Sequence, residues 1–194
     1  GRRQAALMVS RGTETLSCEQ VLSAAYESMS ENLVDSIISP LFFFGIFGLP
    51  GAAAFRAANT MDAMLGYKDE RKDLGWCAAR MDDLLNLIPA RITGGMLLLY
   101  FAAKGRFSEA WRGLQRDRKK RPGINGGIPI SIIASGVGVR FEKPGVYCMG
   151  TGERSLEEAG PEIVAAIRVV TIAFAALVTM VLILLGSGII STGI

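Results

Sequence analysis

The chain has 194 residues, of which half are hydrophobic, and a formal net charge of +3. A mean hydropathy of +0.34 is too high for an ordinary soluble domain and too low for a bare bundle of membrane helices. The sequence contains no histidine, which excludes imidazole metal ligands and histidine-based acid–base catalysis. Its three scattered cysteines form no CxxC pair, so neither a zinc site nor a disulfide framework is indicated. These bounds predict a single membrane-embedded domain, residues 1–194, with substantial polar loops.

Three polar clusters interrupt strongly apolar sequence between residues 31 and 91. They are Glu31-Asn32-Leu33-Val34-Asp35, Asn59-Thr60-Met61-Asp62 and Arg80-Met81-Asp82-Asp83. Charged groups beside apolar runs of the kind found in membrane helices cost free energy, and their presence indicates a reaction site at or near a bilayer. The N-x-x-D spacing of the first two clusters places amide and carboxylate on one helical face, where they could hold a hydrated Mg²⁺. A helix cap or a solvated polar residue is the alternative for any single pair.

The uncharged stretch 36–55 lies between the first two clusters and is broken by Pro40, Gly48 and Pro50, among others. It predicts either one membrane span or a re-entrant helical pair that turns at Leu49-Pro50-Gly51, because broken helices are tolerated where they line a protein cavity. If the polar clusters are to converge on one face, the re-entrant pair is favoured. A second membrane helix is predicted over 84–103, and it must accommodate Pro89 and Arg91.

The basic segment 104–121 contains eight Lys or Arg residues and two acids. Its pattern places Phe107, Ala110, Trp111 and Leu114 on one helical face. This predicts an amphipathic interfacial helix on an anionic leaflet, on the cytoplasmic side by the positive-inside rule. An ordinary solvated helix face is the alternative, and no nucleic-acid partner is expected because the charge lies between membrane segments.

The remaining sequence predicts a polar region followed by an anchor. Residues 122–160 are Gly-rich and loop-like, with a short strand expected at 138–142 and no complete phosphate-binding motif. An uncharged run from 169 predicts a transmembrane helix over 161–190 that begins near Pro161. The predicted fold is all-α: a polytopic integral membrane helical protein with broken or re-entrant segments, an amphipathic basic interfacial helix and a Gly-rich loop region.

The run LPGAAAFRAANTMDAMLGYKDERKDLGWCAARMDDLLNLIPARIT, residues 49–93, closely resembles the adenosylcobinamide-phosphate synthases of cobalamin biosynthesis, the CbiB/CobD family. The similarity extends through SRGTETLS, ESMSENLVDSIISP, RPGINGGIP and GVGVRFEKPGVY. The resemblance implies a multi-pass enzyme of the inner, cytoplasmic membrane. Its activity would be the ATP-dependent joining of an aminopropanol, or its phosphate, to a side-chain carboxylate of adenosylcobyric acid.

The implied cofactors are ATP and Mg²⁺, with the corrinoid as substrate. The implied partners are adenosylcobyric acid, the amino-alcohol phosphate and the lipid bilayer. Assembly with further copies of the chain, or with other membrane enzymes of the cobalamin pathway, stays open. Family members usually begin with further apolar helices and a His-Pro segment. This chain has neither and begins with Gly1, so an N-terminally truncated member is expected.

The family motifs, with roles suggested by charge, assign three groups of site residues. Catalytic roles fall to Glu31, Asp62, Asp82 and Lys68. Substrate and phosphate binding fall to Asn32, Arg56, Asn59, Tyr67, Arg71, Arg80, Arg91 and Asn125. Magnesium binding falls to Asp35, Asp62, Asp82 and Asp83. Two other functions are open: a membrane Mg²⁺-dependent transferase acting on a pyrophosphate substrate, and a non-catalytic membrane component of the same family.

Overall fold

The computed structural model describes residues 16–65 and 72–191, and most of this part of the chain is helical. The helices are α1 (Cys18–Asn32), a π-helical segment (Leu33–Ile38), α2 (Ser39–Leu65), α3 (Lys72–Leu85), α4 (Leu87–Ala103), α5 (Phe107–Asp117), α6 (Gly127–Val137) and α7 (Leu156–Ser191). Two short strands, β1 (Phe141–Lys143) and β2 (Tyr147–Met149), pair in antiparallel register with Phe141 opposite Met149. The strands add a small β-hairpin to the predicted all-α fold.

Helix α1 begins at a capping box. The Ser17 hydroxyl accepts a hydrogen bond from the Gln20 backbone N–H (3.2 Å), and the Gln20 side chain accepts one from the Ser17 N–H (3.0 Å). These bonds satisfy two backbone donors that a helix start otherwise leaves unpaired. At its other end α1 continues through the π-helical segment, which contains Asp35, into α2. Such π-helical turns are frequent at functional sites.

Helix α2 turns back on itself at Gly48. The backbone there has φ 66° and ψ −158°, a conformation that is open almost only to glycine. The rings of Phe43 and Phe55 are stacked with centroids 5.4 Å apart, whereas twelve residues of straight helix would separate them by about 18 Å. The segment is therefore a helical hairpin whose turn lies beside the predicted Leu49-Pro50-Gly51 position. Its entry into a bilayer stays a prediction.

The helix predicted over 84–103 begins at Leu87 in the structure, because the chain bends by 46° between α3 and α4. The bend lies at Asn86, whose side chain is buried. Its amide oxygen accepts a hydrogen bond from Ser39 (2.5 Å), and its amide nitrogen donates to Asp82 (3.0 Å). Pro89 lies in the first turn of α4, where a helix has no intrahelical use for the missing N–H.

The prediction of a loop over 122–160 is wrong for its central part, since residues Gly127–Val137 form α6. This helix is buried almost all round and forms the centre of the core with Leu97, Phe101 and Phe141. Its 11 residues would be about 16 Å long, too short to cross a bilayer. Gly138, with φ 80°, ends the helix in the left-handed conformation. The strand expected at 138–142 instead covers Phe141–Lys143.

Helix α5 occupies Phe107–Asp117 of the predicted interfacial helix. Its buried residues are Ala110, Gly113 and Asp117. Of the predicted apolar face, Ala110 is buried and Leu114 packs against the core. At Gly113 an added Cβ would lie 2.0 Å from the Ser135 Oγ of α6, so only glycine permits this close helix crossing. Phe107 and Trp111 stack at 6.1 Å and remain exposed. Contact of that exposed side with a leaflet stays a prediction.

Asp117 joins the end of α5 to the β-hairpin. Its fully buried carboxylate accepts hydrogen bonds from Arg116 (2.9 and 2.7 Å) and from the Gly150 backbone N–H (2.8 Å), and it pairs with Lys120 (2.7 Å). Burial opposes the charge. The hydrogen bonds and the Arg116 charge outweigh burial and lower the pKa of Asp117 to about 2. The carboxylate therefore stays ionised and fixes β2 against the helices.

Helix α7 begins at Leu156, five residues before the predicted start at Pro161. Beyond the core it exposes large apolar side chains, including Ile172 and Ile183. Within the described residues, two helical stretches, 18–65 and 156–186, are long and apolar enough to cross a membrane. A third is added if the bent α3–α4 pair counts as one span. The first stretch is not a straight rod, because Gly48 reverses its direction.

Candidate functional site

Carboxylates from distant parts of the sequence line one cavity of about 510 Å³, here called the acidic cavity. Its polar side chains are those of Glu31, Asp35, Asp62, Asp82, Asp83, Asn86, Arg121 and Asn125. Among the described residues that line it there are thus five carboxylates and a single guanidinium. Acidic groups thus outnumber basic groups in the cavity, as expected for a site that handles cations or cationic complexes.

Four chain segments supply these side chains. Glu31 lies in the last turn of α1, and Asp35 lies in the π-helical segment. Asp62 comes from the returning limb of the α2 hairpin, which exists only because the chain reverses at Gly48. The end of α3 supplies the two aspartates of the third cluster. The loop before α6 closes the cavity with Arg121 and Asn125.

A chain of hydrogen bonds fixes Asp82 in this cavity. Its Oδ1 accepts from the Asn59 amide and its Oδ2 from the Asn86 amide, both at 3.0 Å. Asn86 is itself held by Ser39, and both of these side chains are buried. Since both carboxylate oxygens have amide donors, the orientation of Asp82 is set before any ligand arrives.

The Gly-rich loop before α6 is held against α1, α3 and α4. The Asn125 amide donates to the Asp83 carbonyl (2.8 Å), and its oxygen accepts from Arg91 (2.6 Å). Arg121 forms an ion pair with Glu31. These contacts join the third polar cluster, the first polar cluster and the loop into one assembly.

The structure does not bring all predicted site residues into the cavity. Asn32 is exposed, and its side chain forms hydrogen bonds with Ser28 and Ser36 of its own helical segment. Arg56 is exposed and donates to Asn59 (3.3 Å), and Arg80 lies over the ring of Trp76 at 5.7 Å. None of these three residues, nor Arg91, lines the acidic cavity. Arg91 and Asn59 do not line the cavity but donate hydrogen bonds to residues that do, Asn125 and Asp82 respectively.

Three predicted site residues, Tyr67, Lys68 and Arg71, lie outside the described residues.

The sequence patterns predicted no site role for Arg121, for Asn86 or for the glycines of the loop. Arg121 ends the basic segment 104–121, so its charge suggested a surface helix. It also begins the motif RPGINGGIP. That motif combines an arginine with Asn125 and three glycines, and this combination was the signal for a cavity-lining loop.

The donor set of the cavity suits Mg²⁺ in chemical type, because carboxylate and amide oxygens are its preferred protein ligands. Within the part of the chain that the structure describes, however, no three acidic or thiol side chains are grouped closely enough to hold a metal ion. The assignment of Asp35, Asp62, Asp82 and Asp83 to Mg²⁺ therefore stays a prediction. It fits a metal that arrives with phosphate oxygens and water better than a metal held by protein ligands alone.

Comparison with known proteins supplies the family. A family model described as CobD/Cbib protein matches residues 1–174. A "Probable cobalamin biosynthesis protein CobD" of Methanothermobacter thermautotrophicus is 46% identical over 154 residues, which are 77% of this chain and 51% of that protein. A protein of the same name from Thermococcus kodakarensis is 41% identical over 189 residues, 97% of this chain and 60% of that protein.

A third relative with that name, from Pyrococcus furiosus, is 46% identical over 147 residues, 75% of this chain and 49% of that protein. The chain thus spans about half the length of the curated relatives it matches. No solved structure matches the chain. The family resemblance expected from the motifs is confirmed: the chain belongs to the CobD/Cbib protein family.

Proposed function

We propose that the chain carries the reaction cavity of a cobalamin-biosynthesis enzyme that forms an amide bond at the expense of ATP. The substrates would be a side-chain carboxylate of adenosylcobyric acid and an aminopropanol or its phosphate. The single observation that carries the proposal is the convergence of Glu31, Asp35, Asp62, Asp82 and Asp83 on one cavity of about 510 Å³. Family membership and the relatives named cobalamin biosynthesis protein CobD support the pathway.

The proposed reaction has two balanced steps. First, a carboxylate oxygen of adenosylcobyric acid attacks the γ-phosphorus of ATP, which gives an acyl phosphate and ADP. Second, the amine nitrogen attacks the acyl carbon, the C–N bond forms, and the C–O bond to phosphate breaks. The amine loses a proton in this step, and the Glu31 carboxylate, which lines the cavity, is the proposed acceptor.

The cavity residues would prepare these steps by binding and orientation. Magnesium supplied with ATP would neutralise the charge of the nucleotide phosphates, with Asp35, Asp62, Asp82 and Asp83 as its proposed protein ligands. The hydrogen bonds from Asn59 and Asn86 hold Asp82 in one orientation, so no rotamer entropy is lost when a ligand binds there. An anionic wall without a bound cation would repel ATP, so binding should require Mg²⁺.

A non-catalytic membrane component of the same family is the alternative to be tested. The chain spans about half the length of the curated relatives it matches, and the product assay below tests whether this part is sufficient for turnover. A Mg²⁺-dependent pyrophosphate transferase could use the same acids, and it is disfavoured because the relatives are named for cobalamin biosynthesis.

A product assay separates these possibilities. The chain, purified in detergent, is given adenosylcobyric acid, aminopropanol phosphate, Mg²⁺ and ATP, and the products are analysed by mass spectrometry. The Thermococcus kodakarensis relative, of which the match covers 60%, is prepared and assayed in the same way for comparison. An amide product from both proteins supports the proposed function. A product from the relative alone contradicts catalysis by this chain and favours the non-catalytic alternative.

A further inference from the structure

The acidic cavity needs a positively charged side chain to hold a phosphorylated substrate. The arginines that the sequence predicted for this role do not line the cavity. Arg56, Arg80 and Arg91 were the predicted phosphate ligands within the described part of the chain, and none of them lines the cavity. Arg121 does, and it is the single positively charged side chain among the described lining residues. A phosphate that enters the cavity therefore has Arg121 as its cationic partner.

The surroundings of Arg121 hold its guanidinium close to the backbone of the loop. An added Cβ at Gly126 would lie 2.2 Å from one guanidinium nitrogen, and one at Gly123 would lie 3.8 Å from an Asp83 carboxylate oxygen. Glycine at 126 is thus required for the observed position of the Arg121 side chain. That side chain is 29% exposed, so it is fixed on one side by the loop and open to the cavity on the other.

Arg121 already holds an anion in this state, the carboxylate of Glu31. The two residues are 90 positions apart and come from different elements, α1 and the loop before α6. Carboxylate and phosphate offer an arginine the same paired-oxygen geometry, and phosphate carries the higher charge. Glu31 is therefore positioned as a stand-in for the group that Arg121 binds during function.

We propose that Arg121 binds the phosphate of the amino-alcohol substrate and that this phosphate displaces Glu31 from the ion pair. The identity of the phosphate rests on the proposed function. Displacement exposes the Glu31 carboxylate next to the bound amine, where it accepts the proton that nitrogen loses as the C–N bond forms and phosphate leaves the acyl carbon. Binding of the phosphorylated amine and availability of the base thus become one event.

The first test measures anion binding without turnover. Inorganic phosphate is titrated into the detergent-purified chain by calorimetry, with and without Mg²⁺. Arg121→Gln should weaken binding about 10- to 100-fold, as expected for loss of a charge-assisted hydrogen-bond pair, and Arg121→Lys by less. Glu31→Gln should strengthen binding, because it removes the competing carboxylate. Arg118→Gln, an exposed arginine three positions away, is the matched control and should leave binding unchanged.

The outcomes of this titration are decisive in both directions. If Arg121→Gln and Arg121→Lys bind phosphate as the unmodified chain does, Arg121 is not the phosphate ligand. If Glu31→Gln weakens binding as much as Arg121→Gln does, the ion pair only holds the loop, and the displacement is wrong. Thermal unfolding of each variant identifies misfolding. If Arg121→Gln does not fold, the comparison uses Arg121→Lys, which keeps the positive charge.

The second test assigns the phosphate to its source. In the amide-forming assay, Arg121→Lys should raise KM for aminopropanol phosphate and leave KM for unphosphorylated aminopropanol unchanged. An increase confined to KM for ATP would assign Arg121 to the nucleotide and overturn the amino-alcohol assignment. If the unmodified chain forms no product, the proposed function fails, whereas the phosphate titration still decides whether Arg121 binds the anion.

Discussion

The amide of Asn59 donates a hydrogen bond of 3.0 Å to the carboxylate of Asp82, although 23 positions separate the two residues. This bond joins the returning limb of the α2 hairpin to α3 and belongs to the same network as Asn86 and Ser39. It is the contact through which the second and third polar clusters of the sequence become one site.

Replacing the two asparagines of the N-x-x-D elements should have unequal effects. Asn59→Ala removes a hydrogen bond to a partly buried carboxylate and should lower the free energy of unfolding by about 1–2 kcal/mol. Asn32→Ala is the matched control: its side chain is exposed and bonds within its own segment, so a change within about 0.5 kcal/mol is expected. Denaturant unfolding in detergent measures both. Equal losses would show that the Asn59–Asp82 contact has no special role.

The sequence predicted the helical character, the candidate spans and the grouping of the acids better than it predicted the core. The sequence predicts a loop where α6 lies, because glycine and proline are frequent around it. Two of those residues were in fact boundary signals, with Pro129 in the first turn and Gly138 at the left-handed end. The isoleucines between them are buried on all sides, so no amphipathic period revealed the helix.

Long-range contacts account for the parts of the site that the sequence did not predict. Arg121 meets Glu31 across 90 residues, a relationship that local charge patterning does not encode. The bend at Asn86 likewise depends on Ser39, 47 positions earlier. By contrast, the glycines and prolines of 36–55 predicted either a span or a turn at residues 49–51, and the turn was favoured by the need for the polar clusters to converge. The structure turns at Gly48, in a conformation that is open almost only to glycine.

The hairpin turn should be intolerant of a side chain. Gly48→Ala places a Cβ on a residue with φ 66° and ψ −158° and should cost about 1–3 kcal/mol of stability. Gly95→Ala is the matched control, since an added Cβ there meets nothing within 4 Å. In the interior of α4 it should stabilise the chain by about 0.5–1 kcal/mol. Thermal unfolding in detergent compares the two, and an unchanged or higher Tm for Gly48→Ala would contradict the turn.

The crossing of α5 and α6 should respond to volume in a reversible way. Gly113→Ala brings a Cβ to 2.0 Å from the Ser135 Oγ, and overpacking of this kind costs about 1–3 kcal/mol. The double variant Gly113→Ala, Ser135→Gly removes the nearest clash. Its loss of unfolding free energy should therefore be smaller than the sum of the losses of the two single variants. A double-mutant cycle on unfolding free energies measures this coupling. Strict additivity would show that the two helices do not meet at these residues.

Asp117 should contribute stability that depends on acid pH. Its pKa is lowered from 3.8 to about 2 in the folded chain, so its contribution is fully present above about pH 4. The contribution is lost as the pH falls toward about 2, and its size is about 2 kcal/mol. The difference in unfolding free energy between the unmodified chain and Asp117→Asn should therefore shrink as the pH is lowered from about 6 to about 2.5.

A matched acid provides the control for this titration. Glu158 is exposed on α7, and Glu158→Gln should differ from the unmodified chain by a small amount at every pH. Chemical denaturation monitored by tryptophan fluorescence gives the free energies. A difference for Asp117→Asn that stays constant with pH would show that the carboxylate is not held ionised by Arg116 and Lys120.

The most direct measurement is the rate of amide product formation by Asp62→Asn and Asp82→Asn, with Glu158→Gln as the control. The convergence of these aspartates on the acidic cavity predicts that each substitution lowers the rate by roughly 10²-fold or more. Folding, measured by Tm in detergent, should be retained, and the control should keep the full rate. Full activity in both aspartate variants would contradict the assignment of the reaction to the acidic cavity.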